Sequence, residues 1–486
     1  MNQSHRPRRR TTTPDGRMDS TTTGRSRGVS SLGSRRRPGL GEAPGSSVST
    51  AVPHRTPGRP NDIAVVGAGI VGLSVAWFLQ DRGAAVTVYD ADHAASGASW
   101  GNAGWLTPGL TVPLPEPDVL RYGFRSALRP SSPVFVPPRL DPALWRFLTG
   151  FALHCTHRRW SRGVAAYAPI NQMAIRAFAD LADADATPRP HEARPFLACF
   201  RTTGEATTML SELRRMQDAG QRVHFDYLTG GQVQQAQASV SDEVRAAVAI
   251  HGQKYIHPPQ FIRALTQSVI ARGGKLREWI RIDDVDAEPN AVWLTDNGGV
   301  RHRHDAVVLA TGAALGRLAR RFGVKQLVQA GRGYSFTVTG TQVPTSPVYF
   351  PNQRIACTPL HEPLYPIGEP PYGEEDTELL RVAGMMEFRR PDEPLDPRRI
   401  RAIVDTLRPL LDGVDLDRRR TEWVGSRPCT IDGLPLIGAT QDRRVFVAGG
   451  HGMWGVALGP VTGKLLAEQI IAQTTPPQLK PFDPQR

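Results

Sequence analysis

The stretch DIAVVGAGIVGLSVAWFLQDRGAAVTVYDAD, residues 62–92, limits the fold of this chain more than any other. Ile63, Ala64, Val65 and Val66 make a short continuous apolar run, as a strand buried on both faces of a parallel sheet requires. Gly67, Gly69 and Gly72 follow as G-x-G-x-x-G. Leu73, Ala76, Trp77 and Leu79 then recur at core-facing helical spacing until Gly83, and Val86–Tyr89 reads as a second strand with Asp90 at its carboxyl end. Each part has a chemical reason. Gly67 permits the turn, Gly69 lets backbone N–H groups approach a pyrophosphate, and Gly72 lets the helix pack closely on the strand. The helix N-terminus offers the phosphates partial positive charge. Asp90, twenty-three residues after Gly67, can accept a hydrogen bond from a ribose 2′-hydroxyl. A lone glycine pattern is weak evidence; between a strand and a helix, with the acid on the next strand, it predicts dinucleotide binding.

With 486 residues the chain has room for two domains and a large core, and its 22% charged composition is that of a soluble globular protein. The net charge of +13 invites a nucleic-acid or membrane reading, but its distribution weakens both. Nine of those charges belong to residues 1–60, where twelve arginines face only Asp15, Asp19 and Glu42. The rest of the chain needs no polyanionic partner, and no nucleic acid is expected. The tail is poor in aliphatic residues and reads as a disordered basic extension, with Met18 an alternative start. It lacks the apolar stretch of a secretory signal, and no window reaches the ~20 apolar residues of a membrane span. Cys155, Cys199, Cys357 and Cys429 are widely spaced with no metal-ligand pattern. They suit a reducing, cytoplasmic setting and predict neither disulfides nor a metal site.

Further along, residues 113–160 are proline-rich and read as irregular, 166–186 as an amphipathic helix, and 192–250 as strands with a helix near 205–219. HPPQFIRALTQSVIARGG (257–274) is a helix opened by prolines and closed by glycines. DAVVLATGAAL (305–315) is another buried strand, ending in Ala310-Thr311-Gly312. Residues 333–420 return to strand-like pieces with one helix at 396–411, and 443–470 read as strand, Gly-rich turn and helix. The nucleotide-binding part is therefore expected to be discontinuous and interleaved with a second domain. The glycine loop alone does not separate NAD from FAD. Two later features favour FAD. The A-T-G strand end near 310 resembles a second signature of two-dinucleotide-fold flavoproteins. The C-terminal unit supplies another helix N-terminus, whose dipole can stabilise negative charge developing on a reduced flavin.

From about residue 61 to 475 the chain resembles the D-amino acid oxidase-type flavoprotein superfamily, most closely the D-amino acid dehydrogenase small subunit. The matching segments are VVGAGIVGLSVAWFL, SGASWGNAGWLTPG (96–109), GRGYSFTV (331–338), RVAGMMEF (381–388), WVGSRPCTIDGLPLIG (423–438) and GGHGMWGVALGPVTGKLLA (449–467). The resemblance implies an α/β fold, with an FAD-binding Rossmann-like domain of the glutathione-reductase type interleaved with an α+β substrate domain whose mixed or antiparallel sheet covers the flavin. Residues 61–112, 160–190, 251–330 and 421–475 fall to the first, and 113–159, 191–250 and 331–420 to the second. It also implies non-covalent FAD and hydride transfer from an amino acid Cα to flavin N5, giving an imino acid that hydrolyses. Electrons would pass to a quinone, another carrier or O2, with peripheral association at a membrane as one setting.

Carried over position by position, the resemblance assigns Gly67, Gly69, Gly72 and Asp90 to the ADP half of FAD. It assigns Ser99, Asn102, Ala103 and Gly104 to the loop beneath the flavin, and Ile282 to a backbone contact with adenine. Gly312 belongs to the A-T-G signature, and Gly450, Gly452, Met453 and Gly455 to the turn against the flavin ring. Arg427 matches the arginine that pairs with the substrate carboxylate, and Tyr334 falls at a candidate pocket position. His451 joins the candidate set, with a satisfied turn histidine as its plainer reading. Glu387 reads as a structural carboxylate, and Cys429 as a small buried filler rather than a flavin attachment point. Asp90 replaces the commoner Glu, and Met453-Trp454 depart from the dehydrogenase pattern, which puts substrate identity in doubt. Glycine, sarcosine or D-hydroxyproline oxidation therefore stands beside D-amino acid oxidation. A non-catalytic flavin subunit and an NAD(P)-linked enzyme are the readings from other classes.

Overall fold

The computed structural model describes residues 60–117, 129, 131–138, 140–361 and 379–486. The expectation of a disordered basic tail falls on residues that lie outside these, apart from Pro60.

A six-stranded sheet is built around Asp62–Val66, flanked by Ala85–Tyr89 and then Lys275–Arg277 on one side, and by Ala306–Leu309, Val445–Gly449 and Leu436–Ala439 on the other. The first five strands in that spatial order run parallel, and Leu436–Ala439 is antiparallel to its neighbour. Strand order reverses beside Asp62–Val66, which opens a crevice at the carboxyl ends of the central strands, where ligands of doubly wound sheets sit. One face of this sheet packs under the helix Ile70–Asp81 and the C-terminal helix Gly455–Ala472, with the long helix His157–Asp183 against the latter. The two helices approach closely because Gly463 lies against the backbone of Ser74, where a Cβ would sit 2.6 Å from the Ser74 carbonyl carbon. On the opposite face, a meander of Ile282–Glu288, Ala291–Asp296 and Arg301–His304 buries Val285, Val292 and Leu294 against Ala64, Val66, Val307 and Leu309.

The second sheet is mixed. Its order is Val414–Thr430, Val328–Gly340, Leu379–Glu387, Ile355–Leu360, Val348–Phe350, Phe196–Phe200, Ala246–His251 and His224–Thr229, with Val134–Phe135 added beside Leu379–Glu387. Tyr334, Phe336 and Val338 pack with Ile400, Ile403 and Leu407 of the helix Pro397–Leu407. The α/β architecture expected from the sequence is present, with two differences in detail. A boundary at residue 421 would cut Val414–Thr430, yet that strand pairs with Val328–Gly340 along its length and belongs wholly to the second sheet. The proline-rich segment expected to be irregular contains the helix Pro142–His154, capped by Asp141. Its Asp-Pro start and the spacing of Leu144, Phe147 and Phe151 were the available signals.

Candidate active site

At the carboxyl ends of the central strands, backbone geometry makes the nucleotide cradle. Gly67 adopts φ +113°, and a Cβ there would collide with the carbonyl of Ala310. Gly72 presses against Gly67 so closely that a Cβ would overlap the Gly67 carbonyl oxygen. Neither glycine tolerates a side chain. Asp90 is tied to this loop: Oδ2 accepts from Ala68 N at 2.6 Å and Oδ1 from Asp92 N at 3.1 Å. Burial raises its pKa, and those two N–H groups oppose the shift. Each oxygen keeps a lone pair for a further donor. Ser99 Oγ accepts from Ile70 N at 3.3 Å, which places the 96–109 loop at the first helix's N-terminus. The Asp90 carbonyl accepts from Ile280 N at 2.8 Å, so the start of the strand containing Ile282 lies at the same end. Gly312, at φ +55°, opens the turn after Ala306–Leu309. Gly450 and Gly452, also at positive φ, shape the turn leading into Gly455–Ala472.

The second sheet brings different chemistry. Arg427 pairs with Gly331 in the ladder and lays its guanidinium across Gly333, where any Cβ would overlap it. Nη1 donates to the Met385 carbonyl at 2.9 Å. Met385 sits at φ +59° and its N–H donates to the carbonyl of Arg354, itself at φ +54°. Two non-glycine residues in left-handed backbone, each costing roughly 1–3 kcal/mol, thus turn the Met385 carbonyl toward Arg427. Desolvation lowers the pKa of Arg427, with Cys429 and Tyr349 opposing. No carboxylate among the described residues lies within ion-pair distance of it. Tyr349 was not singled out from sequence. It interacts with Arg354, and Arg354 in turn is 3.6 Å from Glu116. Trp105 meets Tyr349 edge-on at 5.2 Å and Phe196 at 4.7 Å. Its Nε1 donates to Thr358 Oγ1 at 2.8 Å, and that hydroxyl donates to the Ala103 carbonyl, also at 2.8 Å. Trp454 is pinned through Nε1 to the Val112 carbonyl at 2.8 Å. An aromatic wall therefore stands beside a cation in need of a partner.

The predicted residues do not all converge. Gly67, Gly69, Gly72, Asp90 and Ser99 gather round the first helix N-terminus, with Ile282 and Gly312 at adjoining strand ends. Asn102 Oδ1 accepts from Gly104 N at 2.9 Å, and Gly104, at φ +78°, fits under the Ile256 carbonyl. These contacts shape the loop on which Ala103 meets Thr358. Tyr334 is not brought to Arg427. It is fully buried on the helix side of the sheet, with its hydroxyl donating to Glu387 Oε1 at 2.6 Å. Strand alternation decides this, because Gly331 and Gly333 occupy the face that Arg427 covers. His451 is 2% exposed and bonds Thr462 Oγ1 through Nε2 at 3.0 Å; burial drops its pKa to about 4. That ring is neutral and turned into protein, as the plainer reading expects. Met453 packs against the cluster of Phe147, Phe151 and Met386. Cys429 is 1% exposed, and burial pushes its thiol up to about 12, so no thiolate is present for attack. Trp105, beside the Asn102-Ala103-Gly104 turn, was legible from sequence as lining the flavin or filling core, whereas Tyr349 and Arg354 carried no local signal, because the group they make with Trp105 spans more than 200 positions.

This cradle and fold have relatives. The family described as FAD dependent oxidoreductase matches residues 62–469. The chain belongs to that family. A D-amino acid dehydrogenase of Granulibacter bethesdensis is 26% identical over 420 residues, covering 84% of this chain and 95% of the relative. Among solved structures, glycine oxidase from Geobacillus kaustophilus aligns with a TM-score of 0.64 at 21% identity, over 88% of this chain and 99% of that one. An L-proline dehydrogenase from P. horikoshii aligns with a TM-score of 0.62 at 16% identity, over 88% and 98% of the two chains. The residues present suit FAD. The N-cap residues Gly69 and Trp454 make no side-chain cap, and in the first helix Ser99 takes only the Ile70 N–H, which leaves N–H donors of the first turn for an anionic group. The Thr311 hydroxyl, beside the Gly312 turn, is buried with no protein partner. The Gly67–Gly72 loop, Asp90 and the Gly450–Gly455 turn would hold the cofactor. Among the described residues, no helix is long and apolar enough to cross a membrane, and no cluster of His, Cys, Asp and Glu suits a metal ion.

Proposed function

We propose that this oxidoreductase oxidises an amino acid at Cα, with a D-amino acid as substrate. One observation carries the reading: Arg427 is a desolvated guanidinium that meets a backbone carbonyl but no carboxylate among the described residues. A buried cation without a counter-ion is costly, and a substrate carboxylate supplies the missing charge. The planar guanidinium can take that carboxylate through two parallel N–H···O bonds, which fixes one end of the substrate. FAD, when bound, supplies the two-electron acceptor for the hydride leaving Cα. The chain's own residues do the rest. Arg427 orients the carboxylate, and the neighbouring Tyr349 hydroxyl, whose pKa burial raises further, is a second donor toward it. Trp105, Phe196 and Trp454 exclude water from the reacting carbon. Correct placement supplies much of the rate in such reactions, and little acid–base machinery is needed if the amine arrives unprotonated. Electrons then pass to a quinone or other carrier.

Oxidation of glycine or a secondary amine is the second reading. The Met453-Trp454 turn favours it, because it differs from the dehydrogenase pattern and Trp454 is pinned to the Val112 carbonyl. Anaerobic mixing of the purified flavoprotein with D-amino acids, imino acids and N-methyl amino acids separates the two. Bleaching of the flavin by D-amino acids supports the first, and bleaching by secondary amines or glycine alone supports the second. A flavin that no member of the panel reduces would defeat both and favour a non-catalytic subunit.

A further inference from the structure

The helix Pro142–His154 is apolar on two sides. Leu144, Phe147 and Phe151 face inward and pack with Met386, Phe388 and Cys429, with Met453 against the same cluster. On the opposite side Trp145 and Leu153 are 49% and 63% exposed, and Leu140, just before the helix, is wholly exposed. Residues four apart on a helix lie in one row. Trp145, Thr149 and Leu153 therefore form a stripe along the outer surface, with Arg146 beside it. The Thr149 hydroxyl is turned back onto the Trp145 carbonyl at 2.9 Å. Three of the seven exposed large apolar side chains among the described residues thus fall within residues 140–153. A surface helix ordinarily turns polar residues outward, so an outward row of tryptophan and leucine calls for a cover.

The charge around the stripe has one sign. From Pro142 to Ala179 the chain contains no Asp or Glu. Arg146 is exposed on the outer side of the helix. Arg159 folds back so that its guanidinium donates to the Leu153 carbonyl, which holds a second cation at the far end of the stripe. Arg158 and Arg162 follow one turn apart on the exposed side of His157–Asp183.

We propose that this face docks on a lipid bilayer carrying anionic headgroups. Tryptophan and leucine on an exposed helix suit the boundary between headgroups and acyl chains, and arginines beside them meet the lipid phosphates. With 13 residues the helix is too short to span a bilayer and would lie along its surface. A second copy of the chain would set the same cations against one another, so charge selects the bilayer over self-association. The inner face of the helix meets Cys429 and Met453, which puts the docked surface one helix away from the turn assigned to the flavin. On the proposed function, a carrier dissolved in the bilayer would meet the enzyme there; neither the docking nor its test rests on that reading.

The test sediments the full chain, loaded with FAD, with vesicles of phosphatidylglycerol and phosphatidylcholine and with vesicles of phosphatidylcholine alone. The anionic vesicles should retain the protein, less so as salt is raised. Trp145→Ser/Leu153→Ser should lower the partition constant about tenfold or more. Arg146→Ala/Arg159→Ala should lower it about tenfold or more on the anionic vesicles alone. Both pairs should leave melting temperature and flavin content unchanged. Residues 1–60 carry twelve arginines, which can hold anionic vesicles by charge alone. Retention through them would be undiminished in Trp145→Ser/Leu153→Ser, and that result overturns the proposal. So would absent retention, equal retention on phosphatidylcholine alone, or, in place of vesicle binding, a self-association in sedimentation velocity that the same pair abolishes.

Discussion

Arg332 and Arg427 stand one residue out of register on paired strands and serve opposite faces of one sheet. Arg332 is fully buried and shares Glu387 with two other arginines: its Nε is 3.5 Å from Glu387 Oε1, while Arg389 and Arg399 lie 3.4 and 3.9 Å from Oε2. Arg332 also donates to the carbonyls of Arg390 and Pro394 at 3.3 and 2.9 Å, and Tyr334 completes the group. Among the described residues, Arg427 bonds a single backbone carbonyl. Both arrangements bury positive charge, but among the described residues only the first supplies its own anion. On the proposed function, the contrast separates a charge that organises the fold from one that would hold a substrate carboxylate.

The sharpest way to break the contrast is to remove each centre in turn. Arg427→Ala should keep FAD and the fold while kcat/KM for an amino acid falls roughly 10²–10⁴-fold, since two charged hydrogen bonds at about 1.5–3 kcal/mol each are lost. Steady-state kinetics beside a flavin absorbance spectrum reads both quantities. Glu387→Ala should act in the opposite sense. Three arginines left facing one another should cost about 3–5 kcal/mol of stability, seen as a lower denaturation midpoint, with flavin reduction in the folded fraction little changed. Loss of reduction without loss of stability would move Glu387 into the active site and erase the distinction.

A smaller effect comes from pH. Burial holds His451 near a pKa of about 4, below the ordinary 6.5. Above pH 6.5 the ring is neutral whether folded or unfolded, and its full contribution is present. As pH falls from 6.5 to about 4 the unfolded chain gains a proton that the folded chain refuses, so stability drops by roughly 3 kcal/mol and then levels for this group. His257, also lowered to about 4 by burial, adds to the same window. Denaturation midpoints across pH 4–7 should show the loss, and His451→Gln should flatten part of it.

The sequence revealed the parts of the site that are local. The strand, glycine turn and helix of 62–81, with Asp90 on the next strand, lie within one short segment, and their spacing carries the geometry. Arg427 was legible through its motif, though its isolation from carboxylates was not, because that depends on Met385 and Arg354 folding around it. Tyr334 shows the limit most clearly. Its neighbours Gly331 and Gly333 mark the face that Arg427 covers, and the strand's alternation turns Tyr334 to the other, but which face meets the helix Pro397–Leu407 is a matter of long-range packing. Tyr349 and Trp105 meet only through long-range pairing of Val348–Phe350 with Phe196–Phe200. Periodicity within either segment carries no trace of that meeting.

The central claim is that Arg427 is reserved for a substrate carboxylate. Stopped-flow anaerobic flavin reduction, comparing an amino acid with the amino alcohol that lacks its carboxylate, measures this directly. Wild-type protein should be reduced by the acid far faster than by the alcohol, and Arg427→Ala should reduce both at similar low rates. If Arg427→Ala discriminates between the two as strongly as wild type does, the carboxylate is held elsewhere and the claim fails.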